Sequence, residues 1–145
     1  MQIVGTDSPA FYRAASVIRE YLPLVVFEAN AKIIYDEDNY YAVINNDGCG
    51  NLTYDHVCLN PVWMTPTHIF MALTTAFSLG SIINAFVSPE NTRSARFLKG
   101  VGFIKTGTLR QVCGDWDIYS MTADEWQNNR IRRHFIDIQK QTQDQ

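Results

Sequence analysis

Residues 81–119, which read SIINAFVSPENTRSARFLKGVGFIKTGTLRQVCGDWDIY, decide the fold of this chain. Residues 81–87 are a short apolar run with the length and β-branched content of a buried strand. Asn91 is placed to cap a helix through its side-chain oxygen. Gly100 and Gly102 follow the helical residues and are expected to end the helix. The stretch therefore predicts a buried strand followed by a short helix.

The residues after this helix predict further strands and a last helix. Phe103 opens the next strand, and residues 110–113 and 115–121 are expected to pair antiparallel around a turn. Thr122 and Glu125 have the spacing of a capping box, so a helix should begin there and reach about residue 140. We expect a core domain at residues 1–121, with residues 122–145 forming an added helix and a loose tail from residue 141.

The first half of the chain carries shorter signals. Strands are predicted at residues 1–4, 32–35, 40–44 and 52–59, with a hairpin turn at 45–48. Helices are predicted from about residue 9 to 21 and from 66 to 79, each with a proline in its first turn. Residues 22–27 are apolar but contain Pro23, and helix and strand both remain open there.

Composition limits the classes of function. The 145 residues are 46% hydrophobic and 19% charged, which is typical of one globular domain. A net charge of −3 gives no reason to expect nucleic-acid binding. No apolar run reaches the roughly 20 residues of a membrane span, and the N-terminus does not resemble a signal peptide. Three cysteines without a CxxC pair favour reduced thiols, so the expected location is cytoplasmic.

A motif in the second half of the chain resembles a known family. The spacing is similar to that of the GNAT superfamily of N-acetyltransferases, in the branch that acetylates protein N-termini and aminoglycosides. The residues that carry this likeness are Asn91-x-x-Ser94-x-Arg96-Phe97-Leu98-x-x-x-Gly102-Phe103, then Gly107-x-Leu109-Arg110, Asp117, Tyr119 and the pair Glu125-Trp126. The resemblance implies an α/β fold, a mixed twisted sheet with helices on both faces and strand 52–59 at its centre.

The resemblance also implies where acetyl-CoA would bind. In the family, a glycine-rich turn after a strand holds the pyrophosphate on backbone N–H groups at a helix N-terminus. Here Pro61 is in place, but Thr65, Thr67 and Ile69 stand near the glycine positions, and Pro66 lacks an N–H group. Thr65 and Thr67 are therefore the cofactor-binding candidates in a turn that is not expected to be a pyrophosphate cradle.

Two further positions bear on the cofactor. Asn91 matches a family asparagine that contacts the cofactor arm or the substrate, and Ser94 follows it; the alternative is that Asn91 caps the helix, with Ser94 sharing in the capping. Leu98 stands where many family members have a tyrosine that protonates the departing thiolate. Leucine cannot do this, so the general acid of the resemblance is missing.

A general base for an amine should lie on the central strand. Asp55 and His56 are the catalytic candidates, and Glu28 also qualifies as a base. Only one of Asp55 and His56 can face the cleft because side chains alternate along a strand. The three histidines, His56, His68 and His134, have no metal-ligand spacing, so no metal site is predicted.

Two functions follow from these residues. The residues 91–103 are also similar to small tailed-phage proteins of GNAT-like sequence that act in virion head assembly. With the phosphate turn replaced, the prediction is a GNAT-fold phage protein that binds another protein in the host cytoplasm, without cofactor, nucleic acid or membrane. The alternative is an acetyl-CoA-dependent N-acetyltransferase acting on an amine of a protein or small molecule.

Overall fold

The computed structural model describes residues 1–143, which form seven strands, five α-helices and a short 3₁₀ turn. The strands are β1 (Gln2–Gly5), β2 (Lys32–Asp36), β3 (Tyr40–Asn46), β4 (Asn51–Cys58), β5 (Ile82–Val87), β6 (Ile104–Leu109) and β7 (Trp116–Thr122). The helices are α1 (Pro9–Tyr21), α2 (Pro66–Phe77), α3 (Thr92–Val101), α4 (Ala123–Gln127) and α5 (Arg130–Gln143), and the 3₁₀ turn is Pro61–Trp63.

All seven strands belong to one mixed sheet with the order β1-β2-β3-β4-β5-β7-β6. Neighbouring strands are antiparallel except for β4 and β5, which are parallel and joined through α2. Strand β4 is the fourth of the seven, so the prediction of a central strand there is confirmed. The predicted α/β class, a mixed sheet with helices on both faces, is confirmed as well.

Each face of the sheet has its own apolar layer. Helix α1 covers one face, where Phe11 and Ile18 pack with Ile33 and Val43. The other face is covered by α2 to α5, whose apolar residues surround a second core that includes Leu52, Leu73, Ile83, Met121 and Trp126. Because side chains alternate along each strand, neighbouring residues of β4 contribute to opposite layers.

Local signals place two of the helix starts. Ser8 caps α1 by accepting a hydrogen bond from the Ala10 N–H, and Pro9 occupies the first helical position. Thr65 caps α2 in the same way, with Pro66 in the first helical position. Proline fits there because the first N–H groups of a helix have no partner inside the helix.

Two glycines are required by their surroundings. Gly102 ends α3 with a φ of 119°, a backbone conformation that residues with a side chain rarely adopt. Gly100, which was also expected to end the helix, lies within it. Gly80 lies against β4, where an added Cβ would stand 2.7 Å from Leu52 Cγ and 2.8 Å from the Gly50 carbonyl oxygen. That close approach lets the chain pass directly from α2 into β5.

Three local predictions were wrong. Residues 22–27 form neither a helix nor a strand; they are an irregular segment in which Leu22, Val25 and Phe27 pack on the α1-side core while Leu24 and Val26 are exposed. The turn predicted at residues 45–48 lies further on, because Asn45 and Asn46 still pair within β3 and the Asp47 carboxylate accepts the N–H groups of Cys49 and Asn51. Residues 110–113 are not a strand: they belong to the connection between β6 and β7.

The predicted last helix is two helices. Thr122 and Glu125 form the expected capping box, but α4 ends at Gln127, and Asn129 starts a new turn by accepting the Ile131 N–H. The predicted tail from residue 141 is also corrected, since α5 continues to Gln143; positions 144 and 145 lie outside the described residues. None of the helices within residues 1–143 is both long and apolar enough to cross a membrane.

Candidate functional site

The central strands β4 and β5 separate part of the way along the sheet. They pair only from Asn51 to Thr53 and from Ile82 to Asn84. Beyond these pairs β4 continues to Cys58 and β5 to Val87 without pairing to each other. The peptide groups of β4 that point towards β5 are therefore free to bind a ligand in this opening.

Asp55 lies in the unpaired part of β4 and faces the α1 side of the sheet. It stands opposite Val43, a member of the α1-side core, in the β3–β4 register. The side chain is half-buried, and burial raises the pKa of its carboxyl. A carboxylate whose pKa is raised is a stronger base, which suits it to accept a proton from an amine.

His56 is the next residue and faces the opposite side. Its Nδ1 lies 3.2 Å from the hydroxyl of Tyr40, and its ring meets the ring of Phe97 from α3 edge-on at 6.2 Å. Burial lowers the pKa of His56 to about 4, so the imidazole is neutral at pH 7. The two sequence candidates therefore occupy the same opening but opposite faces of the sheet, as strand alternation requires.

A pair of tyrosines, missed in the sequence analysis, completes the His56 side. The hydroxyl groups of Tyr40 and Tyr54 are hydrogen-bonded to each other, and Tyr40 also contacts His56. Burial raises the pKa of Tyr54 to about 12 and that of Tyr40 well above its usual value. Alternation along β4 places Tyr54 beside His56, but only the β3–β4 register shows that Tyr40 reaches both.

The turn after β4 is filled by its own aromatic side chains. The buried ring of Trp63 stacks on Tyr40 on one side, with centroids 4.4 Å apart, and on His68 on the other, with centroids 4.0 Å apart. Its indole N–H donates to Oδ2 of Asp36 at 2.6 Å. These contacts fix Trp63 at the place where the glycine-rich turn of the resemblance would run.

Few backbone N–H groups remain free at the start of α2. Pro66 has none, the N–H of His68 donates to Thr65 Oγ1, and that of Ile69 donates to the Thr65 carbonyl oxygen. Among the described residues this leaves the N–H of the exposed Thr67 as a first-turn donor with no recorded partner. Thr65 itself is occupied as the helix cap.

Asn91 and Ser94 are joined at the start of α3. Asn91 Oδ1 accepts the Ser94 N–H at 3.1 Å, so Asn91 caps the helix. Arg93 is exposed in the same turn. Burial raises the pKa of the Cys58 thiol at the end of β4, and the charge of Arg93 lowers it to a smaller extent. A cation thus stands near the mouth of the opening. Leu98 packs at the edge of the core.

No metal centre is formed in the described part of the chain. Residues 1–143 contain no group of three or more histidine, cysteine, aspartate or glutamate side chains placed to hold an ion. His56 and His68 are instead held in the aromatic contacts given above.

The chain resembles solved acetyltransferase structures along most of its length. The aminoglycoside acetyltransferase AAC(6')-Ib, in complex with coenzyme A and kanamycin, is 20% identical over 79% of each chain, with a TM-score of 0.56. A probable GNAT-family acetyltransferase from Chromobacterium violaceum is 24% identical over 74% of this chain and 64% of its own, with a TM-score of 0.60. A chimera of spermidine N-acetyltransferase SpeG from Vibrio cholerae and hSSAT is 12% identical over 87% of this chain and 99% of its own, with a TM-score of 0.63.

No protein-family model and no curated protein sequence matches the chain. The structural likenesses show the fold: the chain has the α/β fold of GNAT-family acetyltransferases, as the sequence motif implied. None of these three structures is a phage assembly protein, so the likeness to phage head-assembly proteins has no support.

Proposed function

We propose that the chain is an N-acetyltransferase that uses acetyl-CoA to acetylate an amine. The observation that carries this proposal is the separation of β4 and β5 beyond Thr53 and Asn84, with Asp55 inside the opening. An enzyme of this kind needs an extended slot with free peptide groups and a base beside it. The likeness to acetyltransferases that bind coenzyme A supports the same proposal over assembly without catalysis.

The unpaired edge of β4 fits the cofactor arm. From Tyr54 to Cys58 its peptide groups on the β5 side are available to hydrogen-bond the amides of an extended chain, as an added strand would. Acetyl-CoA, when bound, supplies the thioester carbonyl that the amine attacks. N–H groups of this edge are placed to stabilise the negative charge that develops on the carbonyl oxygen.

Asp55 is the residue to which we assign the proton transfer. It would accept a proton from the acceptor ammonium and so free the nitrogen lone pair for attack on the thioester carbonyl; the C–S bond would break, and the second amine proton would pass to the departing thiolate, which leaves as the thiol. Because burial raises the pKa of Asp55, its carboxylate holds that proton better than an exposed one would. His56 faces the other side of the sheet and is tied to Tyr40, so we assign it to the wall of the slot.

The phosphates of the cofactor would be held weakly. Of the groups that usually bind them, the first turn of α2 retains the Thr67 N–H, and Arg93 adds a positive charge near Cys58. This supports a cofactor site that depends mainly on the β4 edge.

A second candidate function is protein binding without catalysis. One observation favours it: the turn that would bind pyrophosphate has few free N–H donors. Trp63 fills the turn, Pro66 has no N–H group, and Thr65 accepts the N–H of His68. In that case the opening between β4 and β5 would be a remnant without a ligand.

The release of the coenzyme A thiol in the presence of an amine tests the proposal. Wild type should release thiol from acetyl-CoA, and Asp55→Asn should lose about 100-fold or more, because general base catalysis contributes on that scale. Asp117→Asn is the matched control, since Asp117 lies on the opposite face and pairs with Lys105 at 3.5 Å. If no amine is acetylated and acetyl-CoA does not raise the melting temperature, the second candidate stands.

A further inference from the structure

One half of the sheet is uncovered on the face that carries Asp55. Helix α1 packs over β1 to β4, and its apolar cluster contains no residue of β5, β6 or β7. The register places Asn84 beside Ser120 and Phe86 beside Ile118 on this open face. The Ser120 hydroxyl contacts Asn84 Oδ1 at 2.6 Å and Thr106 Oγ1 at 3.1 Å. The open face therefore begins beside the opening between β4 and β5.

Apolar side chains form a stripe on this open face. The apolar stripe consists of Phe86, Ile104, Leu109, Trp116 and Ile118, and none of these belongs to a core cluster. Ile104 is 54% exposed, Leu109 40% and Trp116 38%. The Trp116 indole N–H donates to Gln111 Oε1 at 3.0 Å, which fixes the ring at the tip of the β6–β7 pair.

Few charged side chains lie on the strands of this surface. Apart from the neutral His56, the titratable acidic and basic side chains of β4 to β7 are Asp55, Lys105 and Asp117, and the last two lie on the opposite face, where they form an ion pair. Asp115 is exposed at the tip of the β6–β7 pair, where its Oδ1 accepts the Gln111 N–H. Asp55 is therefore the carboxylate that these strands carry on the α1 side of the sheet, and it lies on β4 at the border of the open face. Glu28, in the segment before β2, is held through its backbone to Asn45, level with the paired part of β4 and away from Trp116.

We propose that the apolar stripe binds the body of the acceptor, and that the acceptor carries a single amine on an uncharged, apolar body. This inference rests on the proposed function. One ammonium finds its carboxylate in Asp55, whereas a second ammonium over the middle of the stripe, away from Asp115 at its tip, would lose water without gaining a partner. Trp116 is the specificity-determining residue, since it offers the largest apolar surface on the stripe.

The test compares amines at saturating acetyl-CoA. Phenethylamine has one amine and an aromatic body, ethylamine has the amine alone, and spermidine and kanamycin carry several amines. We expect kcat/KM for phenethylamine to exceed that for spermidine and kanamycin by tenfold or more. A dipeptide amide with an N-terminal phenylalanine shows whether the amine on an apolar body can also be the N-terminus of a peptide.

Substitutions on the stripe locate the binding surface. Trp116→Ala should raise KM for phenethylamine by about tenfold with kcat little changed, and should leave KM for ethylamine unaltered; Leu109→Ala should act in the same direction more weakly. Ile118→Asp adds a carboxylate to the stripe and should shift the preference towards spermidine. Ile138→Asp, an exposed substitution on α5, is the charge control and should shift nothing.

The outcomes separate the two proposals. Preference for spermidine or kanamycin over phenethylamine, or a KM for phenethylamine unchanged in Trp116→Ala, would overturn the inference while acetyl transfer itself stands. If no amine is acetylated and acetyl-CoA gives no thermal stabilisation, the proposed function fails and the inference falls with it.

Discussion

The indole N–H of Trp63 donates a hydrogen bond to Oδ2 of Asp36 across 2.6 Å. This bond crosses from the turn after β4 to the end of β2 and fixes the Trp63 ring between Tyr40 and His68. The ring therefore occupies the space in which the phosphates would bind beside the N-terminus of α2. The conformation of the turn depends on a side chain that the glycine-rich pattern does not contain.

Trp63→Phe tests this bond. The ring still stacks, but Asp36 loses its donor, so we expect a loss of about 1–2 kcal/mol in the free energy of unfolding, measured by urea denaturation. Trp116→Phe is the control, because its bond to Gln111 lies on the exposed β6–β7 connection, and it should cost less than about 0.5 kcal/mol. Equal losses in the two variants would show that the Trp63 bond has no special role.

Asn91 should behave as a helix cap. Asn91→Ser and Asn91→Asp keep an oxygen for the Ser94 N–H and should leave stability nearly unchanged, while Asn91→Ala should cost about 1 kcal/mol in the free energy of unfolding. Acetyl transfer is measured on the same variants. A loss of transfer in Asn91→Ser at unchanged stability would show that Asn91 also contacts cofactor or substrate.

Stability should depend on pH through His56. Burial lowers its pKa from 6.5 to about 4, so between these values the unfolded chain binds a proton that the folded chain does not. Its contribution is therefore complete above pH 6.5 and is lost as pH falls towards 4, by at most about 3 kcal/mol and less with partial solvent screening. Asp55 acts in the opposite sense, because its raised pKa removes stability as pH rises above 3.8.

The two effects are separated by substitution. The difference in unfolding free energy between wild type and His56→Phe, measured from pH 4 to pH 7, removes the Asp55 contribution that both proteins share. We expect the unfolding free energy of wild type to increase relative to that of His56→Phe as pH rises from 4 to 7. A difference that is constant with pH would mean that His56 is solvated in the folded chain.

Two truncations test which part of the C-terminal segment is core. Trp126 is 2% exposed and lies 6.1 Å from both Phe70 and Phe77 between ring centroids, so it belongs to the core and not to a partner surface. Deleting residues 122–145 should unfold the protein or leave it insoluble, since loss of a buried tryptophan alone costs about 3–5 kcal/mol. Deleting residues 130–145 removes α5, which has no fully buried residue, and should leave a folded chain.

Circular dichroism and resistance to proteolysis distinguish these outcomes. A folded 1–121 chain would contradict the placement of Trp126. An unfolded 1–129 chain would show that the contacts of α5, among them Phe135 tilted against Phe70 at 5.1 Å and Ile131 on the core, are essential to the fold.

The sequence predicted the parts of the fold that local chemistry determines. The sequence left Thr6, Asp7 and Ser8 open as caps of the first helix, and the structure has Ser8 there. The caps Thr65 and Asn91 and the end of α3 at Gly102 are each predicted from one or two neighbouring residues and are confirmed. The turn predicted at residues 45–48 was misplaced because Asn45 and Asn46 still pair within β3 and the Asp47 side chain satisfies the turn amides.

Features that depend on contacts between segments far apart in the chain could not be predicted from the sequence. The Tyr40–Tyr54–His56 contacts depend on the register between β3 and β4, and the opening depends on where β4 and β5 stop pairing. Asp55 and His56 were recognised as candidates by residue type, but nothing in the sequence shows which of the two faces of the sheet binds the amine. The open face beside Asp55 follows only from the reach of α1.

Calorimetric and thermal-shift titration of the purified chain with acetyl-CoA tests whether the chain binds this cofactor, with buffer as the blank and adenosine 3′,5′-bisphosphate as the control for phosphate binding alone. The proposal predicts binding of acetyl-CoA, with stabilisation of about 2.7 kcal/mol at a ligand concentration of 100 times the Kd, and much weaker binding of the bisphosphate. An unchanged melting temperature and no heat of binding at millimolar acetyl-CoA would contradict it.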